Sequence, residues 1–195
     1  MKYNYRNLLE VYAKVVYTHK THEKAVERLE NRIRVLKILQ IVLLSLTSVG
    51  VLSTITDILK PFIDNNIIIL TSLNVLVLLT AFTATGLSIY DLSSSDKEDV
   101  LKHKTTAIKL LFLREKYIAL LSDYRDKLIN NQELVNRRDT LNEKINGVYS
   151  EAPQTHHKDF VAARKALKIN EEFTFNEGEV EKFLPVYMRD NYKDA

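Results

Sequence analysis

Hydrophobic and polar positions along this 195-residue chain follow two different rules. From Ile38 to Tyr90 the chain holds two unbroken apolar runs, with no Asp, Glu, Lys, Arg or His between Lys37 and Asp57 or between Asp64 and Asp91. The first run, at about 19 residues and 1.5 Å of rise each, measures roughly 28 Å as a helix, close to the hydrocarbon thickness of a bilayer. The second, about 26 residues long, spans with tilt. Between them DILKPFID holds Pro61 and three charges, which stop a continuous helix and belong in water. The pattern predicts a transmembrane helical hairpin.

Outside the hairpin the apolar positions recur at helical spacing instead. Leu8, Tyr12, Val15, Val26, Leu29, Ile33 and Leu36 make one stripe before the first run, with His19 and His22 in its middle. Nothing breaks this pattern before Ile38, so the leading helix and first span are expected as one rod. After the polar break DLSSSDKED, with Ser95 as N-cap, a second stripe passes through Leu110, Leu113, Tyr117, Leu120, Tyr124 and Leu128. It continues through Leu134, Leu141, Ile145 and Val148, with a bend or turn near Asn130–Asn131–Gln132. The two stripes match and are expected to pair antiparallel beneath the membrane. GVYSEAP ends this region at Gly147 to Pro153. A short basic helix over 157–169 follows, then a last helix through Leu184 opened by an Asn176–Glu179 capping box and stopped by Pro185. Phe160, Phe173, Phe175, Phe183 and Leu184 are the tail's expected docking anchors.

The fold class is therefore an all-α membrane protein: a transmembrane hairpin continued by long cytoplasmic helices, with a small helical C-terminal tail. Its parts are a leading amphipathic helix (1–37), transmembrane helix 1 (38–59), a short external loop (60–65) and transmembrane helix 2 (66–90). A cytoplasmic helical region (91–150) and the tail (151–195) complete it.

Charge adds orientation. Residues 1–37 carry nine Lys or Arg against four acids, Lys97, Lys102, Lys104 and Lys109 follow the second span, and the loop has only Lys60. By the positive-inside rule both termini face the cytoplasm and the loop faces out. The charged leading region argues against a cleaved signal peptide. Four glycines and three prolines favour long helices, and the absence of cysteine excludes disulfides, thiolate metal sites and a cysteine nucleophile. The net charge of +3 is too small to argue nucleic-acid binding on its own.

The chain is poor in catalytic chemistry. It has no glycine-rich phosphate loop, zinc signature or nucleophile elbow, so neither enzyme activity nor a cofactor is expected. His19 and His22 share a helix face but lack a third ligand, which leaves packing or gating as their roles rather than metal binding. The spans are rich in hydroxyls and amides: Ser45 and Ser48 share a face of the first with Leu52, and Asn74, Thr85 and Ser88 share one of the second with Leu78 and Ala81. Serine and threonine satisfy themselves on their own backbone, whereas Asn74 needs a partner at membrane depth. Interhelical glue and the lining of a pore built by several copies both fit. Arg164, Lys165 and Lys168 form a basic cluster, read either as a solvated helix face or as a contact for a phosphate-bearing partner. A soluble coiled-coil adaptor is the alternative to a membrane protein.

YTHKTHEKAVERLENRIRVLKILQIVLLSLTSVGVLSTI resembles the leading helix and first span of the SLATT family of bacterial two-transmembrane effectors. ATGLSIYDLSSSDKEDVLKHKTTAIKLLFLREKYIALLSDY is similar to that family's second span and following helix, including the His103 and Ala107 pair and the Leu120–Asp123 ending. The tail YSEAPQTHHKDFVAARKALKINEEFTFNEGEVEKFLP resembles the subgroup found beside reverse transcriptases. The resemblance implies an antiphage effector that oligomerises and permeabilises or depolarises the inner membrane when a partner signals infection, in abortive infection. The implied partners, besides membrane lipid and further copies of the chain, are a reverse transcriptase with its RNA or DNA product, or an enzyme producing a nucleotide signal. Whether the chain touches nucleic acid directly stays open. A non-toxic membrane anchor for such a defence complex is the competing function.

Overall fold

The computed structural model describes residues 2–48, 54–55, 58–59, 61, 67–176, 178–183 and 185. Among them every regular element is helical: α1 (Lys2–Leu46), α2 (Ile67–Ser93), α3 (Asp96–Arg125), α4 (Asn131–Glu151), α5 (His157–Lys168) and a 3₁₀ turn at Val180–Phe183. Most of the predicted loop (60–65) and much of the first span, including Leu52, lie outside the described residues.

α1 is a single 45-residue helix, carrying the amphipathic stripe and the start of the first apolar run on one axis. α2, at 27 residues, is the described helix long and apolar enough to cross a membrane. Its large side chains point outward almost all round: Ile68, Val75, Leu76, Leu79, Phe82 and Ile89 are all exposed. A soluble chain would leave such a surface in water; a bilayer solvates it. α2 packs on α1 through a narrow face centred on buried Ala84. Gln40 Nε2 donates across it to the Leu87 carbonyl at 2.9 Å, and Arg32 bonds the Tyr90 hydroxyl near its end.

The apolar helix ends at Ser93, where three successive serines (93–95) interrupt it. Asp96, Glu98 and Asp99 then fill the first turn of α3, complementing the helix dipole. Ser95 occupies the N-cap position without capping; its hydroxyl donates to Asp99 Oδ2 instead, at 3.0 Å. α3 runs antiparallel to α1: Tyr5 stacks on Tyr124, His22 meets His103 and Arg32 reaches Asp96. Leu8 and Val15 of α1 bury against Leu110, Leu113, Tyr117 and Leu120 of α3. The turn near Asn130 lets α4 reverse along α3, with Asn130 Oδ1 accepting the Glu133 N–H at 2.9 Å as a true N-cap. α4 adds Leu134, Leu141 and Ile145 to the core. Its helix runs through Gly147 to Glu151, just before Ala152 and Pro153. Leu128 falls in the turn and is exposed, although its spacing matched the stripe.

α5 docks on α1 through Ala163 and Ala166, whose small side chains allow close approach. The Asn176 N–H does bond Glu179 Oε2 at 2.8 Å, but one 3₁₀ turn follows rather than a longer helix. Among the tail's anchors, Phe160 meets Tyr17 with centroids 6.2 Å apart and Phe173 stacks on His19. Phe183 points to solvent, and Leu184 lies outside the described residues.

Candidate functional site: a buried histidine junction below the spans

α1, α3 and α5 meet in a layer where polar groups replace the apolar stripe. His19, Lys20, Thr21 and His22 of α1, His103 and Thr106 of α3, and Asp159 of α5 are all buried there. The layer lies on α1 before the start of the first apolar run, where the helical bundle meets the rod that carries that run.

At its centre His22 Nδ1 and His103 Nδ1 are 2.8 Å apart, the two rings tilted with centroids 5.0 Å apart. That distance requires one nitrogen to donate and the other to accept, so a single proton sits between them. Burial is the main cause that pushes His22 down to about 4, aided by the neighbouring His103 and His19. Burial also lowers His103 and His19, against the opposing pull of Asp159 on the first and Glu23 on the second. All three are neutral near pH 7, consistent with the shared-proton geometry. Charging both rings would place two N–H donors face to face.

Asp159 closes the layer from α5. Its oxygens accept Arg28 Nε at 2.7 Å and Nη2 at 3.1 Å, and Oδ2 also takes the His156 N–H at 3.0 Å. Burial would raise this carboxyl, but the Arg28 bonds and the His156 N–H outweigh it and hold it below its usual range. One carboxylate thus starts α5 and clamps it to α1. Nearer the membrane, Arg32 bonds the Tyr90 hydroxyl and Asp96, tying α1 to the exit of α2 and the start of α3.

The predicted residues divide between places. His19 and His22 lie in this layer; His19 stacks beneath Phe173 rather than joining the pair. In the spans, Ser45, Ser48, Thr85 and Ser88 donate to the backbone carbonyls of Ile41, Ser45, Ala81 and Ala84. Asn74 is exposed, and its amide bonds nothing among the described residues. On a helical wheel Asn74 and Thr85 sit about 80–100° around α2 from Ala84, so they flank the α1 contact rather than enter it. Arg164, Lys165 and Lys168 project from the outer face of α5, opposite Ala163 and Ala166. No cluster of three or more metal-ligating side chains occurs among the described residues.

Arg28, Asp159 and the His103 contact were not found from the residues themselves. The spacing of His156 and Asp159 at the start of a basic helix was the available signal, since three residues is capping-box spacing.

An all-helical bundle ending in an apolar hairpin defines a membrane protein of the two-span class. Residues 5–179 match the SMODS and SLOG-associating 2TM effector domain family 4, and the chain belongs to that family. It is thus a defence-associated membrane effector domain rather than an enzyme. No curated protein and no solved structure matches the chain.

Proposed function

We propose that the chain is a homo-oligomeric effector of the bacterial inner membrane that opens a conducting path when a defence partner signals infection. The spans are 38–59 and 66–90, the loop 60–65 is external, and both termini are cytoplasmic. The observation that carries this reading is the polar edge of α2: Asn74 and Thr85 are exposed beside the α1 contact, at a depth where an amide needs a partner. Two helices enclose no aqueous path, so neighbouring copies must supply the other walls. The hydroxyls of Ser88, Ser45 and Ser48 are already satisfied on nearby backbone carbonyls and therefore neutral to assembly.

Activation enters from below. The tail's resemblance to the reverse-transcriptase-associated subgroup supports a reverse transcriptase with its nucleic-acid product as the partner, ahead of a nucleotide-signalling enzyme. Arg164, Lys165 and Lys168 offer an exposed cationic face for it. The junction of His22, His103 and Asp159 ties that face to the rod that enters the bilayer.

The test is membrane depolarisation in cells carrying the chain and its activating partner. An Asn74→Leu ring at that depth favours dewetting and blocks ions while assembly, followed by crosslinking, persists. Were the amide only glue, the loss would be near 0.6 kcal/mol, a typical intramembrane hydrogen bond, and toxicity would survive. Full depolarisation by correctly assembled Asn74→Leu protein refutes a lining role. No depolarisation by the activated wild type refutes the effector reading in favour of an anchor.

A further inference from the structure

The segment after α5 crosses back over α1 and α3 in an unusual conformation. Glu171 and Phe173 have φ of +52° and +81°, two of the three positive-φ non-glycine residues among those described. A phenylalanine adopts that conformation only when its surroundings impose it. Backbone bonds shape it, the Glu172 N–H to the Ala166 carbonyl at 3.0 Å and the Thr174 N–H to the Glu171 carbonyl at 2.9 Å, and a set of basic groups holds it in place. The Phe173 ring stacks on His19 at 5.5 Å and lies 4.7 Å from Lys20 Nζ and 4.4 Å from Arg114 Cζ. Beside it the Glu172 carboxylate binds Lys20 at 2.5 Å and approaches Lys24 at 3.9 Å.

Under this ring lie two of the three buried side-chain polar atoms that lack a partner among the described residues: His19 Nδ1 and Arg114 Nη1. His19 is 97% buried, being 3% exposed. The carboxylates in the neighbourhood do not saturate the donors. Glu23 takes one ammonium hydrogen of Lys20, and Glu27 bonds Lys24. Glu115 gathers Arg114 Nε and Nη2 onto a single oxygen and leaves Nη1 idle. Next to Phe173 opens a cavity of about 500 Å³, walled by Tyr12, Tyr17, Ile118 and Phe175 with Lys168 at its edge. That volume is in the range of small-molecule sites.

We propose that this cavity binds an aromatic phosphate, and that residues 171–175 are a clasp whose carboxylate and phenyl ring occupy the site's polar end until such a ligand displaces them. The occupant's own chemistry, a carboxylate beside a ring, defines the class. An intramolecular occupant has an effective concentration in the millimolar range, so its competitor must bring more than one carboxylate's charge. A phosphate carries about −1.5 to −2 and three acceptor oxygens, enough for Lys20 and the idle Arg114 nitrogen together. Its ring stacks on Tyr12 and Tyr17, which lie outside the displaced clasp. Membrane lipid is excluded as the source, because Lys20 lies about 27 Å along α1 below Ile38. The inference stands without the pore reading, and binding is measured apart from conductance.

The experiment titrates the full chain, held in lipid nanodiscs, with fluorescent 1-naphthyl phosphate, using 1-naphthol and inorganic phosphate as controls. Saturable binding at least about tenfold tighter than either control is expected. Glu172→Gln removes the competing charge and tightens binding several-fold. Arg114→Gln, shown by circular dichroism to keep its helices, weakens it by about tenfold. Ligand also speeds chymotryptic cleavage after Phe173 and Phe175. Equal binding of 1-naphthol, no saturable binding by either wild type or Glu172→Gln, unchanged affinity in Arg114→Gln, or binding without faster cleavage would each overturn the proposal.

Discussion

Acidification should loosen the junction through His22. The folded residue sits at about 4 against 6.5 for an ordinary histidine, so the native state prefers it neutral. Above 6.5 neither state is protonated and the preference costs nothing. As pH falls the unfolded chain takes up a proton that the folded chain refuses, and stability drops until about 4, where both are charged. The full span of the loss is about 3 kcal/mol, and between about pH 7 and about pH 5 it is about 2 kcal/mol. His103 and His19, also lowered, add in the same direction. The groups facing the pair are Asp159 and Arg28, already bonded to each other, Asp99, which accepts the Ser95 hydroxyl, and the neighbouring His19 and His156. The pull of the two carboxylates is weaker than the cost of burial, so neither holds an imidazolium near neutral pH. Thermal unfolding of the solubilised protein, followed by circular dichroism, should show a midpoint roughly 4–8 °C lower at the acidic pH. Because other carboxylates also respond to acid, the comparison is with a His22→Gln, His103→Gln variant, which keeps donors and acceptors but does not titrate. The variant should lose that part of the pH dependence. Identical pH dependence in the two proteins would refute the argument.

Three further outcomes follow from the same contacts. Asp159→Asn leaves Arg28 facing a neutral amide and should cost about 2 kcal/mol, read as faster hydrogen exchange confined to α5. Tyr117, whose hydroxyl donates to Asn142 Oδ1 at 2.9 Å, is pushed up to about 12 chiefly by burial. Tyr117→Phe should lower stability by about 1 kcal/mol, and ultraviolet titration should show one tyrosine ionising after the rest. The proposed cytoplasmic placement of both termini predicts that protease added to intact spheroplasts leaves terminal tags uncut; cleavage of the C-terminal tag would reverse the topology.

What the residues decide by themselves is whatever depends on periodicity. An apolar run free of charge must leave water, and a 3.6-residue stripe must bury one face, whichever element covers it. The long rod of α1, the hairpin, the α1–α3 pairing and the break near Asn130 all follow from such local rules. So does the self-satisfaction of the span hydroxyls, because a serine's nearest acceptor is its own helix, as at Ser45 and Ser88. Partner choice among polar groups is a different matter. His22 meets His103 across 81 residues and Arg28 meets Asp159 across 131, and no local pattern distinguishes those residues from a solvated charge or a packed histidine. HxxH at 19 and 22 reads as one unit, yet the fold splits it: one ring goes to α3 and the other goes under Phe173. The backbone turn that carries Glu172 and Phe173 onto α1 is likewise invisible in the sequence. Positive φ at Glu171 and Phe173 runs against their intrinsic preference; bonds to the Ala166 and Glu171 carbonyls close the turn locally, and the contacts with Lys20, His19 and Arg114 hold it on α1 and α3.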